Sequence, residues 1–177
     1  MPEEFELFYT RISPFSQFYP VRFDKQYIYP DGSIHTATFI SAEQAMMYGK
    51  AILFGDHNSA EDILQTKTPN AAKKLGRQVK GFDAKIWDQN KISIVYDNNY
   101  QKFTQNPHIL NVLLETGNKT LVEASPTDRI WGVGLASTNP LIFDRKHWRG
   151  QNLLGQILTQ LRDDLKPIHG RPDIIEN

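Results

Sequence analysis

Cysteine is missing altogether from the 177 residues. That excludes disulfides, thiolate catalysis and cysteine-rich zinc sites together. An excess of either charge is missing too, since Lys+Arg and Asp+Glu are both 20. A whole-surface electrostatic grip on nucleic acid or on an anionic membrane is therefore not favoured, and only a local basic cleft remains open for such contacts. No window approaches the roughly 18–20 apolar residues of a spanning helix. MPEEFELFYTR has neither a basic n-region nor an apolar h-region, so no signal peptide is expected. The five histidines (His35, His57, His108, His147, His169) show no HxxxH or HxH spacing, so no preformed metal site is expected. The expectation is a soluble intracellular protein, cytoplasmic or nuclear, with no metal, no cofactor and no membrane partner.

What is present is enough for a core: 40% apolar and 11% aromatic residues, ample for one ordinary globular domain. Phe5–Arg11 alternates like a strand, and KQYIYPDGSIHTATF places two β-prone runs around Pro-Asp-Gly, a hairpin signal. From Ser41 the period becomes helical. Ser41 reads as an N-cap, with Gln44 completing a capping box. Ser59 repeats that logic for a short helix to about Thr66, and Thr68-Pro69 opens another through Arg77. Asp83 caps a long helix to about Gln105, with Trp87, Ile94, Val95, Tyr100 and Phe103 as buried candidates. Asn106-Pro107 starts a helix closed by Gly117. TLVEA from Thr120 and IWGVGL from Ile130 read as strands, with a turn-rich stretch over 136–150. Gln151–Leu165 closes the fold as an amphipathic helix, and the tail after Pro167 reads as frayed. The sum is one helix-dominated α+β domain with a small sheet, its core about 8–165.

Several residues stand out as candidates for chemistry. In SAEQAMMYGKA, Glu43 and Lys50 are seven apart, within about 20° on a helix and about 10 Å along its axis. The other faces of that helix are apolar as well, which suggests burial all round. Two charges taken out of water are costly unless paired or placed in a cleft. Helix geometry leaves two readings: an ion pair or unrelated charges on a structural helix, or the working end of an enzyme. In DRIWGVG, Gly132 and Gly134 follow Trp131 and can let backbone N–H groups approach a ligand, while the indole stacks on a ring; a tight bulge with a core tryptophan fits equally. Without a third glycine and a strand–helix setting the motif is no dinucleotide fingerprint. Asn152 opens the last helix, where an amide suits a hydroxyl or phosphate, or simply caps. Arg77 and Lys80 are spaced for a phosphate or for a solvated surface. Phe15, in the aromatic loop FYTRISPFSQFYP, can line a planar ring or the core.

Together and in this order, PFSQFYP, FISAEQAMMYGKA, AAKKLGRQVKGFDAKIWDQNK, KFTQNPHILNVLLETGNKTLVEAS, DRIWGVGL and GQNLLGQIL resemble the NADAR or YbiA-like domains over nearly the whole chain, from Phe8 to Leu165. The resemblance implies a YbiA-like fold and an N-glycosidase of ribosylated bases. It points to Glu43, Lys50, Trp87, Asp128, Trp131 and Asn152 as working positions. Two departures are visible: Met47 and Tyr48 stand where some relatives carry Gln and Ala, and the 136–150 segment with Trp148 is longer than in compact bacterial relatives.

On that resemblance, Glu43 is expected as acid/base and Lys50 as nucleophile or electrostatic helper, because departure of a base from ribose builds oxocarbenium character. Trp87 and Trp131 are expected as stacking walls, Asp128 and Asn152 at ribose hydroxyls, and Arg77 and Lys80 at phosphate. Three functions follow: release of ADP-ribose from guanine in nucleosides, DNA or RNA; cleavage of a phosphoribosylamino-pyrimidine of riboflavin synthesis; or a non-catalytic ADP-ribose/NAD-binding module.

Overall fold

The computed structural model describes residues 2–169; the expected frayed tail lies largely outside them. Four strands and six α-helices follow in the order β1 (Phe5–Phe8), β2 (Phe23–Ile28), β3 (Ile34–Phe39), α1 (Ala42–Leu53), α2 (His57–Leu64), α3 (Pro69–Gly76), α4 (Ala84–Thr104), α5 (Pro107–Glu115), β4 (Thr120–Glu123) and α6 (Leu153–His169). The architecture is helix-dominated α+β. Its strands form two separate two-stranded ladders where one small sheet was expected. The described residues divide into two compact units: residues 16–106 form one, and 2–15 with 107–169 form the other.

In the central unit the Pro-Asp-Gly turn does close a hairpin. β2 and β3 pair antiparallel from Phe23 opposite Phe39 to Ile28 opposite Ile34. The inward rings of Phe23 and Phe39 lie 5.6 Å apart, and Tyr48 of α1 packs edge-on against Phe39 at 5.3 Å. Ser41 accepts from the Gln44 N–H as an N-cap should. Gln44, however, reaches back to the Ile40 N–H, not to the cap. Its amide N–H groups bond Ile63, Leu64 and Thr66 carbonyls at the end of α2. A buried glutamine thus ties α1 to the carbonyls at the C-terminal end of α2. α1 itself is buried from Ala42 to Gly49 without interruption, as its apolar faces suggested.

One boundary and one buried face differ from the sequence reading. α2 begins at His57, capped by Asp56, whose carboxylate accepts from both the N–H and the hydroxyl of Ser59; Ser59 supports the cap and is not the cap. In α4 the buried stripe is Lys91, Val95, Asn98, Asn99, Lys102 and Phe103, while Tyr100 is exposed. That stripe keeps helical spacing with mostly polar side chains, so apolar periodicity does not trace it.

In the other unit β1 pairs parallel with β4, Phe5 opposite Thr120 through Phe8 opposite Glu123. Val122, Ala124, Val133, Leu135 and Ile142 form its core, with Phe5, Leu7 and Trp148 packed against it. α6 lays Leu154, Leu158, Leu161 and Leu165 inward at i, i+4, i+7 and i+11. Residues 130–135 are not a strand. Val133 makes single backbone bridges, its N–H to Glu123 and its carbonyl to the Arg149 N–H, and the chain turns away on either side. The turn-rich 136–150 stretch holds two 3-10 turns, Pro140–Phe143 and Arg145–His147.

Candidate functional site

α1 carries both charges of the SAEQAMMYGKA segment. Glu43 sits in its first turn, 5% exposed, and its backbone N–H donates to the Gln17 carbonyl at 2.9 Å. Lys50, two turns on, is half-buried. Its ammonium donates to the Gly76 carbonyl at 2.8 Å. It also lies 4.5 Å from the centre of the Phe82 ring and 5.8 Å from the Trp87 ring. Phe82 in turn packs edge-on against Phe54, with centroids 5.4 Å apart. Burial pushes the Lys50 amine below its ordinary range; the Arg77 guanidinium pushes the same way, and the Glu43 carboxylate opposes them. An aromatic face attracts an ammonium, so these rings hold a cation that the surrounding burial disfavours. The arrangement presents an amine that deprotonates more readily than a surface lysine, in electrostatic reach of a buried carboxylate.

The local sequence makes this placement. Gly76 ends α3, so its carbonyl is one of the last that has no partner within the helix. Asp83 starts α4 by accepting the N–H groups of Lys85 and Ile86, which sets Trp87 at the first turn. Arg77 caps α3 and is exposed, so with Lys80 it does not form a helical i,i+3 pair. Lys80 is anchored by its backbone, its N–H donating to the Asp56 carboxylate at 2.9 Å.

The remaining candidates lie in the unit that holds β1 and β4. Phe15 is 4% exposed and packs edge-on against Phe8 at 5.7 Å, a core placement and not an open wall. Asp128 is half-buried; one carboxylate oxygen accepts from the Ile130 and Trp131 N–H groups at 2.9 and 2.8 Å and shapes the turn that carries the half-buried Trp131. Gly132 and Gly134 are buried, and the close approach they permit is to the chain itself. A Cβ on Gly132 would sit 3.0 Å from the Glu123 carbonyl oxygen, and one on Gly134 would sit 3.0 Å from Arg149 Cβ. The partner segment is tighter still, a Cβ on Gly150 falling 2.3 Å from the Gly132 carbonyl oxygen. Asn152 has a left-handed backbone, φ 53°, and is fully buried. Its amide donates to the Leu121 carbonyl and accepts from the Glu123 N–H, both at 3.0 Å. It splices β4 to the start of α6, so its side chain is committed to the fold and not held out to a hydroxyl.

Phe82 and Gly76 belong to this site without having been singled out in the sequence. An apolar residue just before an N-cap is an ordinary staple signal, and a glycine at a helix end is an ordinary stop. Lys102 was missed as well. It is fully buried on α4, donates to the Ser16 carbonyl at 3.0 Å, and lies 5.0 Å from the Phe103 ring centre. Burial pushes its amine down to about 7.

The chain matches the model of the NADAR domain over residues 7–166. It is 45% identical over 150 residues to an N-glycosidase of Acanthamoeba polyphaga mimivirus, covering 85% of this chain and 86% of that protein. It is 36% identical over 118 residues to a chloroplastic riboflavin biosynthesis protein, PYRR, of Zea mays, covering 62% of this chain but only 17% of that protein. The solution structure of Escherichia coli YbiA superposes with a TM-score of 0.74 at 24% identity, covering 100% of this chain and 94% of that one. That last likeness is one of fold.

Proposed function

Since this chain belongs to the NADAR domain family, we propose that it is an N-glycosidase and that its substrate is guanine joined to ADP-ribose through an N-glycosidic bond. The observation that carries the reading is Lys50: a half-buried amine with a lowered proton affinity, held by a carbonyl and two aromatic rings, on the helix that buries Glu43. The relative from mimivirus, an N-glycosidase, supports the reaction class. The substrate rests on the resemblance and on the aromatic and cationic groups about Lys50, which suit a planar base and a phosphate.

In the reaction the bond from ribose C1 to the base nitrogen breaks, and its electron pair leaves with the base. Glu43 delivers the proton that lets guanine depart neutral, then takes one from the water that bonds to C1. Lys50 acts at C1 as the nucleophile. Its neutral amine bonds to C1 as the base leaves, the proton shed by that nitrogen passes to the ring oxygen as the ribose C1–O bond opens to give an iminium, and water adds to C1 and releases the ribose aldehyde and the amine. A lowered proton affinity enlarges the neutral fraction this route needs.

The test is release of free base from ADP-ribosylated guanosine, run beside a phosphoribosylamino-pyrimidine, because the maize relative is named for riboflavin biosynthesis. Glu43→Gln and Lys50→Ala are each expected to lower release by about 100-fold or more while the fold survives. Full activity in both variants would sink the site, and release only from the pyrimidine would replace the substrate. Tight ADP-ribose binding without turnover would make the chain a binding module. Borohydride should trap a Lys50 adduct in active enzyme; its absence leaves Lys50 an electrostatic role.

A further inference from the structure

The reaction above gives Met47 no part. It lies three residues before Lys50 on the same face of α1 and is 7% exposed. Across from it is Gly76. A Cβ built on Gly76 would fall 1.9 Å from Met47 Sδ, 2.7 Å from its Cγ and 3.1 Å from its Cβ. Thus Gly76 meets Met47 through its Cα and Lys50 through its carbonyl, at 2.8 Å. The end of α3 rests on Met47, and one turn along α1 it receives the ammonium.

We propose that Gly76 and Met47 are a matched pair of positioning residues, whose combined bulk sets how close the last carbonyl of α3 comes to the Lys50 nitrogen and so where that nitrogen points. The inference rests on the reading of Lys50 as the working amine. Neither residue touches substrate in this account. The carbonyl is a fixed acceptor for one N–H of Lys50, at a helix end whose partial negative charge favours a cation. A side chain at position 76 must either push the end of α3 off α1 or drive the Met47 thioether into its packed surroundings. Because a methionine side chain is adaptable, the effect is one of displacement and not of unfolding. A methionine at 47 therefore requires a residue without a side chain at 76, and a smaller residue at 47 relaxes that requirement.

The experiment compares the wild type, Lys50→Ala, Gly76→Ala and the double variant Gly76→Ala/Met47→Ala. Base release from ADP-ribosylated guanosine is normalised to folded protein, and the Lys50 amine is titrated by NMR on lysine-labelled protein without substrate. Gly76→Ala should lower kcat about tenfold, because a displaced nitrogen no longer meets C1 and this misplacement outweighs the larger neutral fraction. It should also lower the proton affinity of Lys50, because the ammonium loses its acceptor. The double variant, with Met47 Cγ and Sδ gone, should recover both. A Gly76→Ala protein with wild-type kcat and titration overturns the inference. So does a double variant that recovers neither while Lys50→Ala is inactive. If Lys50→Ala releases base as the wild type does, the reading of the lysine fails instead, and the titration alone then decides whether Gly76 and Met47 place the amine.

Discussion

Lys102→Met should remove a pH dependence from the stability of this protein. Lys102 is fully buried on α4 and bonded to the Ser16 carbonyl, and burial moves its amine from the ordinary 10.5 to about 7. In the unfolded chain the same amine holds its proton up to its ordinary value. Between those two values the unfolded state binds more protons than the folded one, so stability rises with pH across the window and is flat below it. Each pH unit inside the window is worth at most about 1.4 kcal/mol. From about pH 7 to about pH 9 the wild type should therefore gain ~2 kcal/mol relative to the methionine variant. Methionine fills a similar volume without a charge, so the variant should be the more stable protein at the neutral end. Urea unfolding of both proteins at several pH values reads this directly, and taking the difference cancels the titration of every other group. A constant difference across the range would mean that Lys102 is solvated or paired in the folded state, and the argument would fail.

Two further outcomes follow from the site. Arg77 depresses the proton affinity of Lys50 through its charge, so Arg77→Ala should shift the acid limb of the pH–rate profile to higher pH; an unmoved limb would separate Arg77 from the amine. Asn152→Ala removes the side-chain partner of a buried carbonyl at Leu121 and of a half-buried N–H at Glu123 and keeps a left-handed backbone without the side chain that holds it. The expected loss is roughly 2–5 kcal/mol by denaturant unfolding. A stable variant with weakened substrate binding would instead restore Asn152 to the ligand.

Some of this protein was legible in its sequence because the signals were local. Thr68-Pro69, Asp83, Asn106-Pro107 and the Pro-Asp-Gly turn each act within a few residues, and the elements they start or join are present. The run of family motifs was equally readable, since order along the chain survives without coordinates. Glu43 and Lys50 could be placed on one face because helix period alone puts them there.

What lay further than one turn away was decided only by packing. The stripe that α4 buries contains Lys91, Asn98, Asn99 and Lys102; a hydrophobic pattern cannot announce side chains that are buried through hydrogen bonds. Gly132 and Asn152 resembled ligand contacts, yet the partners that occupy them include backbone atoms of Glu123 and Leu121, drawn from β4. The sequence by itself determined that an amine and a carboxylate share a buried helix. The tertiary structure decided what surrounds the amine: the carbonyl of Gly76 and the rings of Phe82 and Trp87 arrive from α3, the turn before α4, and α4. Proton affinity depends on that company, because desolvation and neighbouring charge are properties of space and not of sequence distance.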